Sequence, residues 1–193
     1  NYITVIFEKK KNMIYTITLY GDSVLREACE NIVKGELDVL NLSNDMFETM
    51  SQADGIGLAA PQIGISKRIF VVDGTSLDDD EMSSFKKVFI NPTILEEEGD
   101  EWEFEEGCLS IPGVRAGVFR KSEILIRYFD ENWIEKEEKY MGMKARIIQH
   151  EYDHIEGKLF VDYLSSIKRK LIKNKLSEIS KGNCEVSYKV KSL

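Results

Sequence analysis

Gln149-His150-Glu151-Tyr152-Asp153-His154 holds both histidines of the chain, four positions apart, with a glutamate directly after the first. Four residues is about one turn of α-helix, so two imidazoles at this spacing share a face. H-E-x-x-H on a helix is the pattern in which two histidines grip a metal ion and the glutamate beside them serves as general base. The neighbouring residues support a helix from Ala145 to Ile155, because Ile147, His150, Glu151 and His154 recur at i, i+3, i+4 and i+7 and Gly157 supplies a stop. Ile147, Ile148 and Ile155 turn that helix inward, and buried imidazoles and a buried carboxylate require partners.

Upstream of this helix the pattern changes from helical to extended. Arg68 to Asp73 is a short β-branched and aromatic run, and Lys87 to Leu95, Val114 to Phe119 and Ile124 to Phe129 read as further strands. Trp133 to Tyr140 is a more polar, alternating strand. A helix from Leu37 to Gln52 has Leu37, Leu40, Met46, Phe47 and Met50 as its apolar positions and stops before Asp54-Gly55. A last helix, Ser165 to Lys181, sets Ile167, Leu171, Ile172, Leu176 and Ile179 against lysines. Strands dominate the first two thirds without βαβ alternation. The expected class is therefore α+β: mostly antiparallel sheets around a central helix carrying the metal motif, plus a C-terminal helix.

The 193 residues suffice for one domain that needs no disulfide or structural metal, and a single catalytic domain over 1–193 is expected. The chain opens at Asn1, and Met13 is an alternative first residue, which sets 1–12 apart as an extension. A net charge of -8 favours solubility and argues against wholesale nucleic-acid binding. Cys29, Cys108 and Cys184 are an odd, scattered set that fits free thiols in a reducing compartment. The apolar runs Ile3–Phe7 and Ile14–Leu19 are too short to span a bilayer, and no signal peptide is legible.

Two histidines leave a metal short of ligands. A third histidine does not exist, so a glutamate (Glu156, Glu178 or Glu185) or a thiolate must complete the set. Glu156 points around the helix, and Glu178 lies among lysines. Cys108, in Glu105-Glu106-Gly107-Cys108-Leu109-Ser110-Ile111-Pro112-Gly113, is suited to approach a metal from a glycine-containing turn. One cysteine and two histidines leave a fourth position open, as catalysis requires, and suit Zn²⁺ and Fe²⁺ alike. A peptidase using Glu178 or Glu185, and a non-catalytic metal-binding protein, are the alternatives at this point.

Three segments together resemble one family, the peptide deformylases: Gly55-Ile56-Gly57-Leu58-Ala59-Ala60-Pro61-Gln62, Glu106-Gly107-Cys108-Leu109-Ser110 and Gln149-His150-Glu151-Tyr152-Asp153-His154. They look like its three motifs, in its order and at similar separations. Gly21-Asp22-Ser23-Val24-Leu25-Arg26 and Gly157-Lys158-Leu159-Phe160-Val161-Asp162 extend the likeness, so that Met13 to Leu176 is covered. Gly21 stands where many members have proline, and the acidic Asp78-Asp79-Asp80-Glu81 loop looks like a local, solvated insertion.

The resemblance implies a metallohydrolase that removes the formyl group from the N-terminal formyl-methionine of new proteins and releases formate. It implies one divalent ion, Fe²⁺ in cells with Zn²⁺ or Ni²⁺ as substitutes, on Cys108, His150 and His154. Metal-bound water would attack the formyl carbon with Glu151 as general base and then acid, and the Gln62 amide and Leu109 N–H would face the oxyanion. Gly57 and Gly107 would hydrogen-bond an extended peptide, and Arg115 would contact its backbone. Ile56, Ile147 and Ile148 are candidate walls for the methionine side chain. The expected partners are N-formyl-methionyl nascent peptides and, through basic Lys168–Lys175, the ribosome. A monomer acting in the cytoplasm, or in an organelle of a eukaryote, and not in a membrane, completes the expectation.

Overall fold

The structure is a computed structural model that describes residues 13–191. The extension 1–12, with its Ile3–Phe7 run, lies outside the described residues. Strands β1 (Gly57–Ala59), β2 (Ile69–Asp73), β3 (Lys86–Cys108), β4 (Ile111–Phe129) and β5 (Glu135–Met141) form one antiparallel sheet in that order. Helices α1 (Val39–Gln52), α2 (Gly142–Ile155) and α3 (Ser166–Ile179) complete the α+β architecture.

The apolar run Ile69-Phe70-Val71-Val72 is continuous because β2 is covered on both faces. Ile69 and Val71 meet the cluster that contains Met46 and Met50 of α1, whereas Phe70 and Val72 meet the cluster that contains Ile147, Ile148 and Ile155 of α2. The two-residue side-chain period sends alternate residues to opposite cores. Phe70 stacks on Phe89 at 4.7 Å, and Phe89 lies 4.4 Å from Tyr128, which joins β2, β3 and β4 beneath α2. Each such side chain, fully buried, contributes about 1.5–3 kcal/mol. Asp38 caps α1 by accepting from the Asn41 N–H at 3.1 Å. Leu42 fills the buried face of α1, and Leu40, expected there, is 51% exposed.

Three strands of the sequence reading become two. Lys87–Leu95 continues to Cys108, and Val114–Phe119 and Ile124–Phe129 belong to one strand. The acidic outer part of this hairpin carries no apolar alternation, since Glu96 to Glu101 is exposed throughout and held by cross-strand pairing. Register shifts at Ile90/Thr93, Ile94/Glu96, Glu98/Glu101 and Gly107/Cys108 interrupt the long ladder, and irregularities of this kind bend and twist a strand. The bent hairpin and β5 lead straight into α2, which packs against β1, β2, β4 and β5.

Helix α3 also departs from its expected pattern. Leu176 and Ile179 are buried, but Ile167 and Leu171 are 72% and 81% exposed, so only the C-terminal half docks. The chain then turns back beside Ile17, whose N–H donates to the Lys189 carbonyl at 2.8 Å and whose carbonyl accepts from the Lys191 N–H at 2.9 Å.

Candidate metal centre

Helix α2 carries His150, Glu151 and His154 inward, and the end of β3 brings Cys108 to meet them. The sulfur sits 3.3 Å from His154 Nε2. One donor atom from each of Cys108, His150 and His154 falls within 4.8 Å of the others, the only such group among the described residues. Cys108 occupies the last position of β3, at a register shift with Gly107, where the sequence reading had a turn. Glu178 is exposed on α3 and bonded to Lys181 and Asn183, and Glu185 lies at the pocket rim, so neither joins the group. This removes the carboxylate-ligand alternative.

Behind the donors lies a buried charge network that sequence reasoning missed. Glu106 Oε2 lies 2.9 Å from His150 Nδ1. An ionised carboxylate only accepts, so Nδ1 carries a proton and Nε2 is the ring nitrogen left to face a metal. The same carboxylate receives Arg120 in a two-pronged bond at 2.7 and 3.0 Å, and Arg146 at 2.9 Å. Arg120 reaches on to Asp153 at 2.7 Å, and Asp153 accepts from the Tyr163 hydroxyl at 2.9 Å. Burial alone would raise the Glu106 pKa, but hydrogen bonds from His150 and Arg120 hold it well below the usual carboxylate range. Glu106 and Asp153 were visible only as members of motifs. Arg120 and Arg146 had no sequence signal, because an arginine in a strand or helix is normally solvated.

Glu151 is 4% exposed, and its Oε2 has no hydrogen-bond partner among the described residues. Burial pushes its pKa up to about 7, which suits a group that both takes and gives a proton near neutrality. Gly57 makes room for it, since a Cβ there would stand 2.2 Å from Glu151 Oε1. Gln62 is 1% exposed and accepts from the Ala59 N–H at 2.8 Å through Oε1. Its amide nitrogen thereby turns to the Cys108 sulfur and the Ser110 hydroxyl, each at 3.4 Å.

These groups open on a pocket of about 700 Å³. Ile56, Gly57, Gln62, Gly107, Cys108, Leu109, Arg115, Ile147, His150 and Glu151 line it, with His154 behind them at 1% exposure. Ile148 does not line it: at 0% exposure it belongs to the core between α2 and the sheet. Arg115 is exposed on β4, 3.9 Å from Glu105. Residues 185–188, of which the sequence reading weighed only Glu185, and only as a ligand, form part of the pocket wall.

The donor set fits a divalent metal ion: a soft sulfur, an imidazole whose Nδ1 is held by Glu106, and a second imidazole whose Nε2 lies 3.3 Å from that sulfur. Three candidate donors beside a buried carboxylate at the floor of an open pocket are the arrangement that a hydrolytic metal centre requires. The polypeptide deformylase family model matches residues 14–170, and the chain belongs to that family. It is 59% identical to a peptide deformylase of Cytophaga hutchinsonii over 179 residues, covering 93% of this chain and 97% of that one. Among solved structures it resembles the peptide deformylase of Thermus thermophilus with a TM-score of 0.79 and 37% identity, covering 89% of this chain and 100% of the other. The Legionella pneumophila peptide deformylase matches with a TM-score of 0.77 and 39% identity, over 87% and 96% of the two chains. No helix among the described residues is long and apolar enough to cross a membrane.

Proposed function

We propose that this chain, as a single catalytic domain, removes the formyl group from N-terminal formyl-methionine of newly made proteins. The observation that carries this reading is the unpartnered Glu151 carboxylate oxygen beside the Cys108–His150–His154 donors at the floor of the pocket. A divalent ion held by those three residues supplies the acidity that makes a water nucleophilic near neutral pH. Glu151 takes the proton of the attacking water and delivers it to the departing amine. The Gln62 amide, pre-oriented by Ala59, and the Leu109 backbone N–H stabilise the oxyanion that forms on the formyl oxygen when its carbon is attacked. Ile56 and Ile147 receive the methionine side chain. Gly57 and Gly107 hold the peptide backbone in an extended form, and Arg115 adds a contact further along.

Iron(II) is the proposed ion in cells, with zinc or nickel as substitutes, and the enzyme is proposed to act as a monomer in the cytoplasm, or in an organelle in a eukaryote. The exposed basic face of α3, with Lys168, Arg169, Lys170 and Lys173, is the proposed ribosome contact. The decisive measurement is formate release from an N-formyl-methionyl peptide by anaerobically purified protein with its metal quantified. Metal-dependent release is expected. Folded protein that releases no formate with Fe²⁺, Ni²⁺ or Zn²⁺ would overturn the assignment.

Gly57→Ala tests the packing around the carboxylate. A methyl group placed 2.2 Å from Oε1 forces Glu151 away from the donors, and a misplacement of about 1 Å costs about 10²-fold in rate. The expected result is that loss in kcat/KM with metal content unchanged. A variant within twofold of wild type would show that the glutamate does not need its present position.

A further inference from the structure

After α3 the chain reverses and runs back to the pocket, in a segment beyond residues 14–170 that the family model matches. Backbone bonds on both sides of Ile17 fasten it, and Lys191 Nζ pairs with Asp22 at 2.8 Å. Just before that anchor, residues 185–188 line the pocket, and the Tyr188 hydroxyl donates to the Leu109 carbonyl at 2.7 Å across 79 residues of sequence. Leu109 and Ser110 form the tight turn between β3 and β4, next to Cys108. Both carbonyls of that turn are held from outside the hairpin, Leu109 by Tyr188 and Ser110 by the Tyr20 N–H at 2.8 Å. The Tyr188 ring and Leu109 also pack against the same apolar cluster.

We propose that Tyr188 is a positioning residue: its hydroxyl pins the Leu109 turn that presents a backbone N–H to the reacting carbonyl, while its ring walls the peptide pocket. The inference rests on the deformylase reading, because Leu109 has a catalytic part only if an oxyanion forms there. The Tyr20 bond holds the Ser110 side of this turn and Tyr188 holds the Leu109 side, and an N–H donor stabilises charge only when its direction is set beforehand. One hydrogen bond from a well-anchored segment supplies that constraint. The ring contributes separately, as apolar surface that a bound peptide covers.

These two parts separate by substitution in the full-length, metal-loaded enzyme. Tyr188→Phe removes the hydroxyl and keeps the ring, so kcat for an N-formyl-methionyl peptide should fall about tenfold, the worth of one hydrogen bond, with KM and metal content unchanged and the melting temperature lowered by no more than about 2–4 °C. Tyr188→Ala removes both, so KM should rise by a further factor of roughly ten, in line with the loss of one apolar contact from a pocket. A merely structural role would lower the melting temperature by more than this, or the metal content, and would not split kcat from KM between the two variants. If Tyr188→Phe keeps wild-type kcat, or Tyr188→Ala keeps the KM of Tyr188→Phe, the proposal falls. If wild-type protein itself releases no formate, the deformylase reading fails instead, and the two failures are told apart in the same assay.

Discussion

Glu151→Gln is expected to lower kcat by about 10²–10⁴-fold, the usual worth of a positioned general acid–base group. The bound metal should remain at the wild-type level. Gln matches Glu in shape but cannot take up a proton, so the attacking water keeps its proton and the departing amine receives none. None of the three proposed ligand atoms is altered. Folding should not suffer either, because the native carboxylate is 4% exposed with a buried, unpartnered oxygen, and a neutral amide is less costly to bury than a carboxylate. Steady-state kinetics, metal analysis and a thermal melt on one sample check all three statements. Activity above a tenth of wild type would remove Glu151 from the reaction, and loss of metal would recast it as a ligand.

Glu106→Ala carries the largest expected effect on stability. Arg120 and Arg146 are 6% and 2% exposed, and both depend on this carboxylate. Its removal leaves Arg120 with Asp153 alone and Arg146 with only backbone carbonyls. Breaking a buried charge network from one side costs about 3–5 kcal/mol. For a chain of this size that corresponds to a fall in melting temperature of roughly 6–20 °C. His150 also loses the acceptor that holds its Nδ1, and metal affinity should drop about 10–100-fold. Denaturant unfolding and chelator competition measure the two losses. Unchanged unfolding would mean that the arginines find other partners, and unchanged affinity would mean that His150 is oriented by its helix alone.

The pattern on α2 was legible because period and chemistry agree. Apolar residues recur at helical spacing, and the histidines fall on the same inward face. The convergence of Cys108 with that face rests on packing, since 42 residues separate it from His150 and only the bend of the β3–β4 hairpin closes the gap. Other elements were less legible for an equally physical reason. The outer hairpin is strand by cross-strand pairing rather than by burial, so its acidic sequence carries no alternation to read. Ile167 and Leu171 follow the helical period on α3 but lie past the edge of the surface that α3 covers, and periodicity alone does not say where a docking surface ends. Ile148 shares its helix and its core cluster with Ile147, yet one residue of rotation leaves only Ile147 also facing the pocket.

By itself, the sequence determined the helix with its paired histidines, the α+β class, the continuous apolar run that marks β2 as a buried strand, and the presence of a cysteine able to join a metal site. These are local properties, set by periods of 3.6 and 2 residues and by side-chain chemistry. Only the tertiary structure decided that Glu106 holds Nδ1 of His150, that two arginines balance it, that Gly57 makes room for Glu151, and that Tyr188 reaches back to Leu109. Each of these is a contact between distant parts of the chain whose partners have no mutual spacing to read, so it exists only once the hairpin bends and the chain after α3 returns.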